Sequence, residues 1–396
     1  MKKQIISLLS ALVFIISICS TAVLAEEAKK TQAAKPVVME MTLQEALKYA
    51  GEHNSTIRDL KKLYDDYFDT YYEIEKRTMK AQNSQDKTFD MERNPMSTAA
   101  YIDPYELYKG YTLEKAGNTK IDLLKAKEAA EQGIYYGIEK LVYDIDKTVK
   151  DIEYYNNTKK KLEKDVVISQ LMLKLKMVTS LQVSKSKLAV SQMNSTIKLY
   201  NDILTSKKNA LKGLLGVDRN TDVKVKIDKA EYKPVGEINL EDLKKQALEK
   251  RADAVKAVHT LRSKEIGFLV ADFESKAIGF NAYNNARTAY QNEKADCQGK
   301  IDDIKFNIGK VYDALITSQN TYIDALESFN NTNETHKINK LKYEKGMLST
   351  VEIMGSELVY QKAQIDLEKA LRDNILANER FVLACTIGDP EAVTEQ

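Results

Sequence analysis

The stretch KYEKGMLSTVEIMGSELVYQKAQID, residues 342–366, decides the fold because it joins two long helical patterns. Before it, side chains that suit a core recur at alternating steps of four and three over residues 297–329, the 3.5-residue repeat of a helix in a coiled coil. Within it, Gly346 favours the positive φ that ends a helix, and Ser349 and Thr350 are suited to cap the next one. The stretch therefore predicts a long helix, a tight turn and a second long helix that returns.

A similar turn occurs 170 residues earlier, where MVTS at 177–180 aligns with MLST at 347–350. A long helical pattern follows each copy. The beginnings of the two halves also match, with MTLQE at 41–45 aligned with INLED at 238–242. Matching segments in the same order predict that the chain is an internal duplication.

The first residues have the features of a secretory signal peptide. Lys2 and Lys3 precede an apolar run over 5–18, and VLA at 23–25 provides the small residues of a cleavage site. A retained membrane anchor is the alternative, but the apolar run is short for a span. Composition and the repeat set the other boundaries. The predicted layout is a signal peptide (1–25), a disordered lead (26–40), a first repeat (41–220), a linker (221–237), a second repeat (238–389) and a tail (390–396).

The predicted fold class is all-α, with elongated coiled-coil hairpins in two tandem repeats. Thr42 is predicted to cap the first helix, and Glu45 three residues later completes a capping box. The stretch DVKVKI alternates at period two, which predicts at most a short strand near 223–227.

The sequence contains no pattern typical of an enzyme or a metal site. His53, His259 and His336 stand alone, without the HExxH or paired spacing of metal ligands. Cys297 and Cys385 are expected to be free, because on antiparallel helices they lie at different levels, and Cys297 falls on the apolar stripe. We therefore expect no catalytic residue, no cofactor and no metal.

The charge balance is close to neutral. The chain has 60 basic and 58 acidic residues, and removal of Lys2 and Lys3 with the signal peptide leaves equal numbers. A neutral chain has no strong overall field to attract nucleic acid or anionic lipid. We therefore expect no nucleic-acid partner.

Four features together resemble the TolC-like outer-membrane efflux proteins. They are the opening MTLQEALKYAGEHNSTIRDL, the turn KYEKGMLSTVEIM before a long helix, the duplication, and the LLGVD that ends the first half. The resemblance covers residues 42–389. It implies a homotrimeric tube, in which each chain gives two long helical hairpins to a coiled-coil barrel and four strands to a barrel in the outer membrane. It also implies an export duct that docks a membrane-fusion adaptor and an inner-membrane transporter.

The resemblance places candidate sites at the hairpin tips. In the family, acidic residues just past the second turn constrict the tunnel mouth. Glu352 stands at one such position and Gly355 at the other. The residues that the resemblance implies for partner docking are Lys176, Met177, Val178, Gly346, Met347 and Leu348.

One departure from the family concerns the membrane strands, which the family places in each half between the first helix and the long outgoing one. Such a strand needs about ten residues that alternate between apolar and polar. In the second half, charges over 259–298 fall at helical spacing instead. In the first half, Tyr101, Tyr105 and Tyr108 also fall at helical steps. We therefore expect a TolC-like helical body without these strands.

Three functions are compatible with this sequence. The first is an efflux component of the cell envelope, either a helical duct or an exporter-associated coiled-coil protein. The alternative is a barrel-less coiled-coil scaffolding protein of the envelope, and the third is a soluble binding module. The expected location is the outer membrane or the extracytoplasmic space. Outer-membrane fractionation and a gene neighbourhood with an adaptor and a transporter would separate these functions.

Overall fold

Long helices make up most of the computed structural model, which describes residues 38–83, 105–227, 231–278 and 280–391. The all-α prediction is therefore confirmed. In chain order, the elements used below are β1 (Val38–Thr42), α1 (Leu43–His53), α2 (Ser55–Asn83), α3 (Tyr111–Lys174), α4 (Ser180–Leu215), β2 (Asp222–Lys226), α5 (Leu240–Lys250), α6 (Ala252–Ile278), α7 (Phe280–Glu344) and α8 (Thr350–Thr386).

The two halves contain helices of matching length in the same order. Helices α1 and α5 have 11 residues each, α2 and α6 have 29 and 27, α3 and α7 have 64 and 65, and α4 and α8 have 36 and 37. The predicted capping box before α1 is confirmed, because the Thr42 hydroxyl accepts from the Glu45 N–H at 3.3 Å and the Glu45 carboxylate accepts from the Thr42 N–H at 2.7 Å. Asn239 caps α5 from the equivalent position. This order agrees with the duplication, which remains a prediction.

A two-stranded parallel sheet lies beside the core of the first half. Strand β1 pairs with β2 along its whole length, from Val38 opposite Asp222 to Thr42 opposite Lys226. Strand β2 confirms the predicted short strand. The prediction of a disordered lead over 26–40 is wrong for residues 38–40, which belong to β1, and residues 26–37 lie outside the described chain. The strand forms because the pair buries Met41 and Val223 in the core.

The first hairpin consists of α3 and α4, which run antiparallel. Along their seam, Tyr155 donates a hydrogen bond to Tyr200 at 3.2 Å, and Ser169 donates one to Ser186 at 3.2 Å. The second hairpin, α7 and α8, is antiparallel as well. There Asn374 donates to Ser318 at 3.1 Å. Both predicted pairs of long helices are therefore present.

Helix α8 also lies against α3, and this contact joins the two hairpins into one layer with the order α4, α3, α8, α7. Asp146 of α3 forms an ion pair with Arg372 of α8 at 2.5 Å, and Asn157 donates to Gln361 at 3.1 Å. Because residue numbers rise on one helix as they fall on the other, α3 and α8 are antiparallel.

At the end of the layer where α3 begins, α2 packs against α3, and α6 packs against both α3 and α7. Arg262 of α6 binds Glu114 of α3 at 2.6 Å, and Phe268 of α6 meets Tyr283 of α7 with ring centroids 5.2 Å apart. Helices α6 and α7 occupy the part of the second half where the family places strands, so the strands expected to be missing there are replaced by helix. In the first half, the corresponding residues 84–104 lie outside the described chain.

Among the described residues, each half has its own hydrophobic cluster, and a third cluster lies between α3 and α8. The first gathers β1, α1, α3, α4 and β2 around Ile138 and Leu215, and the second gathers α5, α6, α7 and α8 around Ile308 and Leu315. Cys297 and Cys385 are buried and free, as expected. None of the helices in the described ranges is both long and apolar enough to span a membrane.

Candidate functional site

The two hairpin tips have the same backbone structure. In the first tip, Lys176 has φ 58° and the N–H of Met177 donates to the carbonyl of Met172 at 2.8 Å. In the second, Gly346 has φ 71° and the N–H of Met347 donates to the carbonyl of Lys342, also at 2.8 Å. This is the Schellman arrangement, in which a left-handed residue ends a helix and satisfies its last carbonyls.

The helices that return from the tips begin with hydroxyl caps. Thr179 accepts from the N–H of Gln182 at 3.4 Å before α4. Ser349 accepts from the N–H of Glu352 at 3.3 Å before α8, and the Glu352 carboxylate accepts from the Ser349 N–H at 2.7 Å. These contacts fix the direction of each returning helix.

Glu352, the candidate aperture residue, therefore has a local role in the helix start. Its side chain is exposed, and the hydrogen bonds from the Ser349 backbone and hydroxyl lower the pKa of its carboxyl. A carboxylate held in this way stays ionised and remains at the second tip. Gly355, at the other family position, faces α3, where an added Cβ would lie 3.7 Å from the side chain of Lys161.

The tips expose large apolar side chains. Met177 is 67% exposed and Met347 is 71% exposed, whereas Val178 and Leu348 after them are half-buried against the hairpin. The sequence reasoning missed Leu175, which is 70% exposed beside Met177. Other exposed apolar residues near the two tips include Leu171, Leu181, Ile338 and Leu341. In the sequence, such residues can be recognised as apolar residues next to a predicted turn that fall outside the apolar stripe of their helix.

Both tips lie at the same end of the layer. Because α3 and α8 are antiparallel and Asn157 contacts Gln361, the last turns of α3 lie beside the first turns of α8. Lys161 lies beside Gly355 in agreement with this register. The six candidate docking residues are therefore brought together at one end as two adjacent tips.

A polar groove of about 600 Å³ lies between α7 and α8, close to the second tip. Its walls include Asn331, Thr335, Asn339 and Ser356. Near the groove, His336 Nδ1 is hydrogen-bonded to Ser356 Oγ at 3.2 Å. The His336 ring also stacks on Tyr360, with ring centroids 4.9 Å apart. The groove keeps polar side chains between the two helices where a continuous apolar core would otherwise form.

The three histidines have separate environments. His53 stacks on Tyr49, His259 contacts Asp122 at 2.6 Å, and His336 lies in the second hairpin. Among the residues that the structure describes, no group of three His, Cys, Asp or Glu side chains is arranged to hold a metal.

Comparison with solved structures relates most of the chain to outer-membrane proteins. No family model and no curated protein matches the sequence. The outer-membrane protein VceC from Vibrio cholerae is 12% identical, with a TM-score of 0.60 over 87% of this chain and 96% of that one. The CmeC outer-membrane channel of Campylobacter jejuni is 10% identical, with a TM-score of 0.60 over 93% and 94%. The open state of the Neisseria gonorrhoeae MtrE outer-membrane channel is 11% identical, with a TM-score of 0.59 over 93% and 96%.

This chain has the TolC-like fold. The identities of 10–12% show similarity of fold alone, and the coverage shows that this similarity extends over almost the full length of each chain. The TolC-like fold accounts for the layer of two long hairpins and for tips that lie at one end.

Proposed function

We propose that this protein is an export-duct component of the cell envelope, secreted by its signal peptide and acting without catalysis. The observation that carries the proposal is the match to outer-membrane channels over nearly the whole of both chains. The relatives are channels and not enzymes, and the described chain offers no metal-binding cluster. The proposed location is the outer membrane or the adjacent extracytoplasmic space.

The proposed partners are two further copies of this chain, a membrane-fusion adaptor and an inner-membrane transporter. The exposure of Met177 and Met347 at the same end of the layer supports docking there. Methionine is unbranched and polarisable, so it adapts to the irregular surface of a helical partner. Lys176, Val178, Gly346 and Leu348 would shape the same contact, and Glu352 would line the mouth of the duct.

Cell fractionation tests the location. We expect the protein in the envelope fraction, shortened by the signal peptide, and enriched with outer-membrane markers. An unprocessed protein in the cytoplasmic fraction would contradict the proposal.

Substitution of the exposed methionines tests docking. Met177→Asp and Met347→Asp place a charge on an exposed apolar site, so they should weaken cross-linking to a membrane-fusion adaptor by tenfold or more while the circular dichroism spectrum stays unchanged. Met79→Asp is the matched control, because Met79 is a methionine that is 54% exposed on α2, at the end of the layer away from the tips. Equal cross-linking by the tip variants and the control would remove the docking role.

A second candidate function is an envelope scaffold that does not enter the outer membrane. The observation in its favour is that α6 and α7 run as helices through the region where the family places strands. Alkaline extraction of the envelope fraction distinguishes the two. A scaffold should be released into the soluble phase, whereas a duct inserted in the membrane should stay in the pellet.

A further inference from the structure

Polar side chains pair across the seam between α3 and α8, the contact that joins the two halves. The two helices are antiparallel, and the pairs repeat with the heptad, so that a step of seven residues on α3 matches a step of seven on α8. The pairs are Asp146 with Arg372 at 2.5 Å, Lys150 with Glu368, and, one heptad on from the latter, Asn157 with Gln361 at 3.1 Å.

The same register places two carboxyl groups opposite each other. One heptad from the Asp146–Arg372 pair, in the direction away from the tips, Glu139 of α3 faces Glu379 of α8. Glu139 accepts a hydrogen bond from the hydroxyl of Tyr143 at 2.8 Å, and Glu379 is hydrogen-bonded to Glu139. The position that holds opposite charges in one pair therefore holds two acids in the next.

The two carboxyl-bearing residues are half-buried beside an apolar cluster. Tyr136, Tyr143, Leu376 and Leu383 are the buried residues of this cluster. Ile227, which follows β2, packs on the same cluster. Removal of water makes it costly to ionise both carboxyl groups at once.

The cations nearest to the pair have other acidic partners. Arg372 binds Asp146 while its guanidinium lies 5.5 Å from the centre of the Tyr143 ring. Arg380 binds Asp389 and Glu391. Lys140 also binds Glu391, at 2.5 Å, and the Tyr136 hydroxyl donates to the same carboxylate at 3.3 Å. The charged groups facing the pair from α3, α8 and the segment after α8 are thus already paired.

The proton of the pair belongs to Glu379. Burial, and then the hydrogen bond to Glu139 and its charge, raise the pKa of Glu379 to about 8. Burial also raises the pKa of Tyr143, so its hydroxyl remains a donor and Glu139 remains the acceptor. A protonated Glu379 then donates a hydrogen bond to Glu139.

We propose that Glu139 and Glu379 form a proton-dependent joint that closes the seam between the two halves when one proton is shared and loosens it when the proton leaves. With the proton present, the two carboxyl groups attract each other across α3 and α8. Without it, two negative charges face each other in an apolar contact and favour separation of the helices.

The direction of the pH effect follows from proton counting. When the seam opens, Glu379 returns to an ordinary pKa of about 4.3, so between about pH 4.3 and about pH 8 the closed seam holds one more proton than the open one. Closure therefore weakens as pH rises through this interval, by up to about tenfold in the opening equilibrium for each pH unit. Above about pH 8 both states have lost the proton and the dependence ends.

Hydrogen exchange of the full-length purified protein tests the joint. Protection factors, corrected for the intrinsic exchange rate, are measured at about pH 5.5 and about pH 7.5 for peptides from α3 and α8 that span the pair. The wild type should lose protection by more than tenfold between the two conditions. Glu379→Gln keeps a donor without a titrating proton, so its protection should be the same at both. Glu139→Gln removes the opposing charge but leaves Glu379 buried, so it should reduce the loss of protection without abolishing it.

Glu153→Gln is the matched control, because Glu153 is exposed on α3 two heptads from Glu139 and should keep the pH dependence of the wild type. Two results would overturn the joint: constant protection of the wild type over this interval, or the same loss of protection in Glu379→Gln and Glu139→Gln as in the wild type. If Glu379→Gln does not fold, Glu139→Gln alone decides between these outcomes. None of these measurements depends on the proposed role in export.

Discussion

Single residues at equivalent corners of the two halves make equivalent contacts with different chemistry. Asn54, which is 5% exposed between α1 and α2, donates from its amide to the carbonyl of Leu214 at the end of α4 at 2.7 Å. Arg251, which is 4% exposed between α5 and α6, donates from its guanidinium to the carbonyl of Ala384 at the end of α8 at 2.8 Å. Each side chain ties the start of its half to the end of the returning helix. The sequence could not reveal this pairing, because an amide and a guanidinium do not align by residue type.

Exchange of the left-handed residues at the tips should have effects of opposite sign. Gly346→Lys places a side chain at φ 71°, where the added Cβ meets nothing within 4 Å, so backbone strain alone should lower the free energy of local unfolding by about 1 kcal/mol. Lys176→Gly removes the same strain at φ 58° and should raise it slightly, because the greater freedom of glycine in the unfolded chain offsets part of the gain. Hydrogen exchange at the two tips measures both changes. Destabilisation by both substitutions would contradict this account.

At the scale of elements, the helix α3 shows how far sequence patterns reach. The helix, the turn after it and the returning helix α4 were predictable from the sequence. An apolar stripe marks α3, and Gly346 marks the equivalent turn in the second half. The neighbours of α3 were not predictable. Helix α3 contacts α2, α4, α6 and α8 on different sides, so its contacts include polar pairs such as Asp146 with Arg372 that a search for one apolar stripe overlooks. The tip residues were found through resemblance, whereas exposed Leu175 was missed because it lies off the motif.

The segment after α8 should make the fold sensitive to acid. Asp389 has a side chain that is only 1% exposed; burial favours its protonated form, but hydrogen bonds from Arg380 and Asn307 outweigh burial and lower the pKa of this carboxyl. A lowered pKa means that the stabilisation is complete above about pH 3.9 and is lost as pH falls through the folded-state value. Asp389→Asn should therefore cost about 3 kcal/mol at neutral pH and flatten the acid limb of the stability curve.

Urea unfolding at about pH 3 and about pH 7 measures this effect. Asp366→Asn is a suitable control on α8, because Asp366 pairs with Lys362 on the exposed surface and should contribute less than about 1 kcal/mol. An equal loss of unfolding free energy in the two variants would show that burial of Asp389 contributes nothing.

At the scale of the whole molecule, the layer of four long helices leaves α4 and α7 at its edges. In the described chain, exposed apolar side chains occur on both, including Leu188 and Leu199 on α4 and Ile323 and Leu326 on α7. Burying such residues between neighbouring copies would stabilise a closed cyclic assembly. The fold was predictable from motifs in the right order, but the assembly is a property of surfaces that no single-chain pattern defines.

Sedimentation of the processed chain over a wide range of concentrations should reveal a trimer. Because helix packing contributes most of the contacts in the described halves, the trimer should dissociate on dilution. Leu188→Lys combined with Ile323→Lys should shift dissociation to at least tenfold higher concentration, since both charges would fall at the helix edges. A monomer at every concentration would exclude a tube and leave the scaffold.

The distribution of the core also has a mechanical consequence. On α7, the last buried side chain before the tip is Leu315, and the 29 residues from there to Glu344 span about 44 Å at about 1.5 Å per residue. Over this length α7 stays paired with α8 through half-buried side chains, such as Phe329 against Tyr360, so the two helices would move together. A tilt of the hairpin by about 5° at Leu315 would displace its tip by about 4 Å, roughly the width of one side chain. Small rearrangements among the buried residues are therefore amplified at the far end, where Met347 is positioned to meet another molecule.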